Sequence, residues 1–194
     1  MSKKKYVEKF VGITPKDYGQ FEDRHRKVLE IFSKYRFERI LDVGCGDGNF
    51  SVLLKEACKA EEVCGVEISE KGVESARKNG VKAFQLDMDE EDFPFEDSCF
   101  DAVFAGEIIE HLFDPDRFLD EVYRVLKAQG FFVLSTPNLA SIHNRIALLF
   151  GYQPFPIGVS ARMNIGRMYE PDSEHTHSLD HIRVFTLRSW KELL

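Results

Sequence analysis

The sequence predicts an α/β protein with a doubly wound, mostly parallel sheet that is flanked by helices. Along residues 39–137, short apolar runs alternate with segments that carry an apolar stripe at helical spacing. The runs are nearly continuous in apolar residues, as expected of strands that are buried on both faces of a parallel sheet. Glycines or acidic residues follow several of these runs, at the edge where such sheets bind ligands.

Five strands are predicted from the apolar runs. They are Arg39–Cys45, Val63–Ile68, Lys82–Leu86, Phe100–Ala105 and Phe131–Ser135. Gly130 is expected to separate the fifth strand from the helix before it, and Pro137 is expected to close that strand.

Six helices are predicted from the apolar stripes. They are Gln20–Tyr35, Asn49–Lys59, Glu70–Asn79, Asp114–Lys127, Ser141–Phe150 and a last helix that begins at Leu187. Ser69 is a good N-cap for the third helix, and Gly80 is placed to end it.

The length of 194 residues predicts a single domain over residues 1–194. We divide it into an N-terminal arm and helix (1–38), a binding core (39–137), a cap or insertion over the edge of the active site (138–187) and the start of a final helix (188–194). The cap is distinguished by its prolines and glycines, which interrupt the alternation of strands and helices.

Composition favours a cytoplasmic protein. The net charge of −7 opposes binding to a nucleic-acid backbone. The four cysteines are scattered and form no C-x-x-C pair, which is typical of buried thiols in a reducing compartment. No apolar run has the length of a membrane span, and no apolar segment of a signal peptide follows the N-terminal lysines.

The segment Leu41–Gly48 predicts a nucleotide-type binding site. A strand there breaks into three alternating glycines, Gly44, Gly46 and Gly48, and a helix follows. Glycines let the backbone approach a ligand closely, and the N-terminus of the helix offers free N–H groups. Glu67 ends the next strand, where a carboxylate can accept hydrogen bonds from ribose hydroxyls.

With these residues placed, the chain resembles the class I S-adenosylmethionine-dependent methyltransferases. Five blocks carry the resemblance, and they are LDVGCGDGNF at 41–50, GVEIS at 65–69, LDMDE at 86–90, FPFEDSCFDAVFAGEIIEHL at 93–112 and EVYRVLKAQGFFVLSTPN at 121–138. A dinucleotide-binding dehydrogenase normally has G-x-G-x-x-G instead. The resemblance implies a Rossmann-like fold and S-adenosyl-L-methionine as cofactor.

The resemblance also implies which residues bind that cofactor. They are Asp42, Gly44, Gly46, Gly48, Glu67, Ile68, Asp87, Met88 and Glu107. Asp42 would help to orient the ammonium group, Glu67 would bind both ribose hydroxyls and Asp87 would contact the adenine amino group. Ile68 would pack on the adenine, and Met88 would add backbone and packing contacts.

A second group of residues, Glu107-x-x-Glu110-His111, stays open to three interpretations. If it forms a helical turn, Glu107 faces the same way as Glu110 and His111, and with His181 they could hold Mg²⁺ or another divalent cation. Similar patterns occur in ubiquinone-biosynthesis O-methyltransferases, where they resemble a metal site for the acceptor hydroxyl. Without a metal, His111 or His181 could act as a general base. The third interpretation is a structural role.

We therefore expect an O-methyltransferase of a small-molecule acceptor, with Glu107, His111 and His181 as catalytic residues. The alternatives are a metal-dependent methyltransferase of RNA ribose 2′-hydroxyls and a non-catalytic, cofactor-binding regulatory partner. Members of the family usually add an antiparallel hairpin of two strands after the last helix, and this chain shows none. An uncovered fifth strand would be an exposed edge, so we also expect a homodimer or a missing segment there.

Overall fold

The fold is that of a computed structural model, which describes residues 23–160, 163, 165–168 and 181–194. The predicted N-terminal arm and the start of the first helix lie outside the described residues. The described residues divide into two compact units. The sheet unit holds 23–106 and 114–135, and the second unit holds 107–113 and the described part of 136–194.

The sheet unit contains five parallel strands in the order β3-β2-β1-β4-β5, which confirms the predicted α/β class. The strands are β1 (Arg39–Val43), β2 (Glu62–Glu67), β3 (Lys82–Gln85), β4 (Phe100–Gly106) and β5 (Leu126–Ser135). Its helices are α1 (Asp23–Phe32), α2 (Asn49–Cys58), α3 (Glu70–Lys78) and α4 (Pro115–Val125).

Two helices of this unit begin at a residue whose side chain caps the first turn. Ser69 Oγ accepts from the amide of Gly72 at 3.2 Å and caps α3, as predicted. Asp114 Oδ1 accepts from the amide of Arg117 at 3.0 Å and caps α4, whose first residue is a proline.

The main apolar core lies between one face of the sheet and the helices. Phe32 on α1, Ile40 on β1 and Leu54 on α2 are each at most 1% exposed and belong to one cluster of packed side chains. Burying a side chain of this size stabilises the fold by about 1.5–3 kcal/mol. This packing fixes the carboxyl ends of the strands, where the predicted ligand-binding residues lie.

The structure corrects the predicted start of β5. The strand begins at Leu126 rather than at Phe131, and α4 ends at Val125 rather than at Lys127. Leu126 pairs with Phe100, and Phe131 pairs with Ala102, so the extra residues form an irregularity inside the strand. Gly130 lies within the strand and does not separate it from the helix.

The second unit contains α5 (Ile142–Leu149), α6 (Leu187–Leu193) and a short helical turn at Ile109–His111. Asn138 forms an isolated parallel bridge with Phe185, and the amide of Leu139 donates to the carbonyl of Phe185 at 2.8 Å. Among the described residues, no helix has the length and apolar composition that crossing a bilayer requires.

Candidate functional site

The turn between β1 and α2 has a left-handed backbone at all three predicted glycines. The φ angles of Gly44, Gly46 and Gly48 are +77°, +53° and +81°. The amides of Gly44 and Cys45 donate to the carbonyl of Val66 at 2.8 and 3.1 Å, which fixes the turn against β2. The turn therefore has the tight backbone that the sequence predicts for a nucleotide-binding loop.

Two asparagine side chains hold this turn in place. Asn49 Nδ2 donates to Asp47 Oδ2 at 2.8 Å, and Asn79 Nδ2 donates to the carbonyl of Asp47 at 2.9 Å. Asn79 lies just after α3, some thirty residues along the chain from the turn. Sequence reasoning missed its contribution, because an asparagine at the end of a helix reads only as a helix terminus.

Glu67, the predicted ribose-binding acid, lies directly beside the turn. Its side chain is buried, with 8% exposure. Oε2 accepts from the amide of Gly46 at 3.1 Å, and Oε1 accepts from the amide of Ser69 at 2.8 Å. Burial raises the pKa of Glu67, although these backbone hydrogen bonds act in the opposite direction. A carboxylate offers about four acceptor positions, so acceptor capacity remains for ligand hydroxyls.

The other predicted cofactor residues of this unit follow the ends of β2 and β3. The amide of Leu86 donates to the carbonyl of Glu67 at 3.0 Å and joins these two strand ends. Asp87 Oδ1 accepts from the amide of Asp89 at 3.2 Å, and the carbonyl of Met88 accepts from Arg117 Nη1 at 3.4 Å. Ile68 is half-buried beside them. The structure thus brings together the predicted ribose-binding and adenine-binding residues.

Asp42 is more deeply buried than the other predicted ligand contacts. It lies in β1 with 3% exposure, and its Oδ2 accepts from Ser51 Oγ at 2.6 Å. The pKa of Asp42 is raised to about 7, mainly by burial and to a smaller extent by the charge of Glu67, whereas the hydrogen bond from Ser51 acts in the opposite direction. The sequence indicated Asp42 from its motif but gave no sign of Ser51, which lies on the inner side of α2.

In the second unit, Glu110, His111 and His181 form a compact group. One ligand atom from each lies within 4.8 Å of the others. The rings of His111 and His181 have centroids 4.9 Å apart, and His181 Nε2 lies 4.0 Å from Glu110 Oε1. Thr136 Oγ1 donates to Glu110 Oε2 at 3.0 Å. The structure therefore brings together three of the four residues of the predicted metal site.

Hydrogen bonds also orient the two segments that carry this group. The carbonyl of Glu110 accepts from the amides of Ile182 and Arg183 at 3.0 and 3.1 Å. His181 Nδ1 lies 3.0 Å from the carbonyl oxygen of Pro156. Because a carbonyl oxygen only accepts, Nδ1 is the donor in this contact, and the contact orients the ring so that Nε2 points towards Glu110. Nε2 is the ring atom that a metal ligand or a general base would use in this orientation.

The expected position of Glu107 in this group is corrected. The helical turn covers only Ile109–His111, and Glu107 lies before it with a left-handed φ of +56°. Because the backbone reverses there, Glu107 does not share a helical face with Glu110 and His111, and the compact group does not include it. Its role toward the cofactor stays a prediction.

Comparison with known proteins points to one family. A family model described as a methyltransferase domain matches residues 41–134. A protein described as a probable S-adenosylmethionine-dependent methyltransferase of Mycobacterium tuberculosis is 34% identical over 116 residues, 59% of this chain and 42% of that protein. An O-methyltransferase of Aspergillus nomiae is 32% identical over 149 residues, 69% of this chain and 64% of that protein.

The solved structure of a SAM-dependent methyltransferase from Thermotoga maritima has the same fold. Its TM-score is 0.59 at 22% identity, and the match covers 97% of this chain and 77% of that one. The matched part of this chain spans about half the length of the curated relatives, from 42% to 64% for the two described here.

Proposed function

Because this chain contains a class I S-adenosylmethionine-dependent methyltransferase domain, we propose that it binds S-adenosylmethionine in the turn after β1 and methylates a hydroxyl of a small molecule. The geometry of Glu67 carries this proposal. Its two carboxylate oxygens are held by the amides of Gly46 and Ser69, so the acid is oriented before any ligand arrives. Such preorganisation lowers the entropy cost of binding.

The glycine turn fits the proposed cofactor for a steric reason. A Cβ at Gly46 would meet no atom within 4 Å, so there is open space next to the backbone amide that faces Glu67. A Cβ at Gly72 would lie 3.0 Å from Glu67 Cγ, so the start of α3 closes the other side of the carboxylate. S-adenosylmethionine supplies a methyl group that is activated by the positive charge on sulfur.

Binding of S-adenosylhomocysteine to Glu67→Ala tests the cofactor site without knowledge of the acceptor. We expect an affinity about 10- to 100-fold lower than that of the wild type, because two hydrogen bonds to a charged acceptor are lost. Isothermal titration calorimetry measures the effect. Glu74→Ala, an exposed acid on α3, is the matched control and should bind as the wild type does.

Thermal unfolding of both variants shows that they are folded. If folded Glu67→Ala binds S-adenosylhomocysteine as tightly as the wild type does, the ribose-binding assignment is contradicted. It is also contradicted if Glu67→Ala and Glu74→Ala lose the same amount of affinity.

For the acceptor, we propose that Glu110, His111 and His181 act on a hydroxyl. The contact of His181 Nδ1 with the carbonyl of Pro156 supports this role, since it directs Nε2, the ring atom that would act as a base or a metal ligand, towards Glu110 and His111. An O-methyltransferase among the similar proteins is consistent with a hydroxyl acceptor. A methyl transfer from sulfur to oxygen requires the hydroxyl to lose its proton, and a positioned imidazole can take it. Glu107 stays a predicted catalytic residue beside this group.

We also propose that Glu110, His111 and His181 bind a divalent cation. The structure favours a different ion from the Mg²⁺ that the sequence suggested. Two imidazoles and one carboxylate suit Mn²⁺, Fe²⁺ or Zn²⁺ better than Mg²⁺, which prefers oxygen ligands. Ligand atoms about 2.1 Å from such an ion would be about 3.4 Å apart at tetrahedral angles, so the three ligand atoms, which lie within 4.8 Å of one another, would move closer together on binding. Glu107 is left out of the proposed ligands.

Titration with Co²⁺, followed by visible absorption, tests this cation site independently of activity. His181→Ala should weaken Co²⁺ binding at least about tenfold, since one ligand of three is removed. His143→Ala is the control, because His143 is exposed on α5. If His181→Ala and the wild type bind Co²⁺ equally, the cation proposal fails and the acid–base role remains.

The alternative acceptor, RNA ribose, stays a prediction that the net charge of −7 opposes. The homodimer and the regulatory partner also stay predictions. Among the described strands β5 pairs only with β4, which leaves an edge for such contacts.

A further inference from the structure

The carboxylate of Glu110 is buried, and its two oxygens face different partners. Glu110 is 1% exposed. Its Oε2 accepts from Thr136 Oγ1 at 3.0 Å, and its Oε1 lies 4.0 Å from His181 Nε2. A buried carboxylate is costly unless hydrogen bonds satisfy it, so the hydroxyl of Thr136 helps to keep this group in the interior. The same hydrogen bond affects where Oε1 points, because the two oxygens of a carboxylate turn together.

Thr136 is restricted in both its backbone and its side chain. Pro137 follows it, and the residue before a proline is biased toward an extended backbone. Threonine is branched at Cβ, so its χ1 has few accessible rotamers. The residue is also half-buried. The hydroxyl that donates to Glu110 therefore has little freedom to turn elsewhere.

Backbone hydrogen bonds hold the two segments that carry Glu110 and Thr136. The carbonyl of Glu110 accepts from the amides of residues 182–183 at 3.0 and 3.1 Å. Further along the same segment, the carbonyl of Phe185 accepts from the amide of Leu139 at 2.8 Å. The segment that follows His181 is thus bonded both to Glu110 and to the residues just after Thr136. This framework fixes the donor and the acceptor relative to each other before any ligand arrives.

We propose that Thr136 is a positioning residue for Glu110, and that its hydrogen bond to Oε2 holds Oε1 toward His181. This inference rests on the cation site proposed above for Glu110, His111 and His181. Without the hydrogen bond, the carboxylate can rotate about its last side-chain bond, and a cation that binds it must also order it. Carboxylates that bind metals are commonly oriented by such hydrogen bonds. Thr136 therefore strengthens cation binding without contacting the cation.

Titration of the whole chain with Co²⁺, followed by visible absorption, tests the role of Thr136. Valine keeps the branched shape of threonine but has no donor, so Thr136→Val should bind Co²⁺ about tenfold more weakly than the wild type. Thr136→Ala also lacks the donor and should show a loss in the same direction, so the test does not depend on one variant. Thr136→Ser keeps the hydroxyl and should retain most of the affinity.

Ala147→Gly is the control for a general loss of stability. Ala147 is 7% exposed on α5, which belongs to the same unit, and glycine destabilises a helix. This change leaves the pair of hydroxyl and carboxylate in place, so Ala147→Gly should bind Co²⁺ as the wild type does. Thermal unfolding measures the stability of each variant.

The outcomes separate the cation site from the role of Thr136. If the wild type binds no Co²⁺, the cation proposal is wrong and the inference about Thr136 is wrong with it. If the wild type and Thr136→Val bind Co²⁺ equally, only the role of Thr136 is wrong. That role is also wrong if Thr136→Ser loses as much affinity as Thr136→Val, or if Ala147→Gly does.

Discussion

The carboxyl group of Asp42 combines full burial with a single short hydrogen bond from Ser51. Burial raises its pKa to about 7, from an ordinary value of 3.8. The group is thus close to half-ionised at neutral pH, and a cationic ligand nearby would favour its charged form. Asp42 is therefore both a destabilising group in the free protein and a counter-charge for a positively charged ligand.

This raised pKa predicts a pH-dependent effect of Asp42→Asn. The unfolded wild type loses its proton near pH 3.8, whereas the folded protein keeps it up to about pH 7. Asp42 therefore lowers the free energy of unfolding as the pH rises through this window, and the loss is complete above it. Asparagine keeps the acceptor for Ser51 and has no proton to lose. The stability advantage of Asp42→Asn should grow from pH 4 to pH 7 to at most about 4 kcal/mol, measured by urea unfolding.

Asp101 supplies a control of opposite sign. Burial raises its pKa, but hydrogen bonds from Lys127 and from the amides of Arg39 and Glu38 outweigh burial, so its pKa is lowered. Asp101→Asn should lose stability relative to the wild type as the pH rises through the window around this lowered pKa. If the stability of Asp42→Asn relative to the wild type also falls as the pH rises, the raised pKa of the buried Asp42 does not explain its pH dependence.

Individual site residues could be predicted only where they lie within a recognisable sequence motif. Asp42 precedes the end of β1, Glu67 ends β2 and Asp87 follows β3, each in a recognisable block, and their roles toward the cofactor stay predictions. Ser51 and Asn79 carry equally direct hydrogen bonds but lie inside or just after ordinary helices, where nothing in the local pattern distinguishes them. Such partners become visible only when two distant segments are brought together.

At the scale of the elements, the turn after β1 depends on Gly48 for two reasons. Its φ is +81°, and a Cβ there would lie 2.8 Å from Ala76 Cα on α3 and 2.9 Å from Val81 Cγ2. Gly80 has a similar φ of +86°, but a Cβ there would meet nothing within 4 Å. A side chain at either position would strain the backbone, but only a side chain at Gly48 would also crowd its neighbours.

We expect Gly48→Ala to destabilise the fold more than Gly80→Ala does. Both should lose about 1 kcal/mol to the left-handed backbone, and Gly48→Ala should lose about 2 kcal/mol more because α3 must move away from the turn. Urea unfolding at one pH measures both variants. If both variants lose the same free energy of unfolding, crowding between the turn and α3 does not contribute to the loss.

Element types followed from the apolar pattern, whereas some boundaries did not. Residues 127–130 resemble a helix end followed by a turn, because they contain no large apolar residue and finish with a glycine. In the structure they belong to β5, and Gln129 has a left-handed φ of +68°. Pairing with β4 on both sides of this irregularity keeps the segment in the sheet. A tertiary contact of this kind overrides local preference, so the sequence alone could not indicate it.

At the scale of the whole molecule, acidic residues are unevenly distributed along the chain. The acid-rich segment 87–101 belongs to the sheet unit, and the acid-free segment 136–169 belongs to the second unit. The net charge of −7 therefore averages over segments of different charge and is a poor guide to any one surface of the protein.

The contact between the Glu110 segment and the His181 segment bears on how the protein folds. Arg183 Nε donates to the carbonyl of Leu112 at 3.1 Å across a separation of 71 residues, so forming this contact closes a very long loop. Loop closure of this length is entropically costly and slow compared with local helix formation. We therefore expect the two histidines to meet late in folding. During synthesis, this contact can form only after residue 183 has left the ribosome, 71 residues after Leu112.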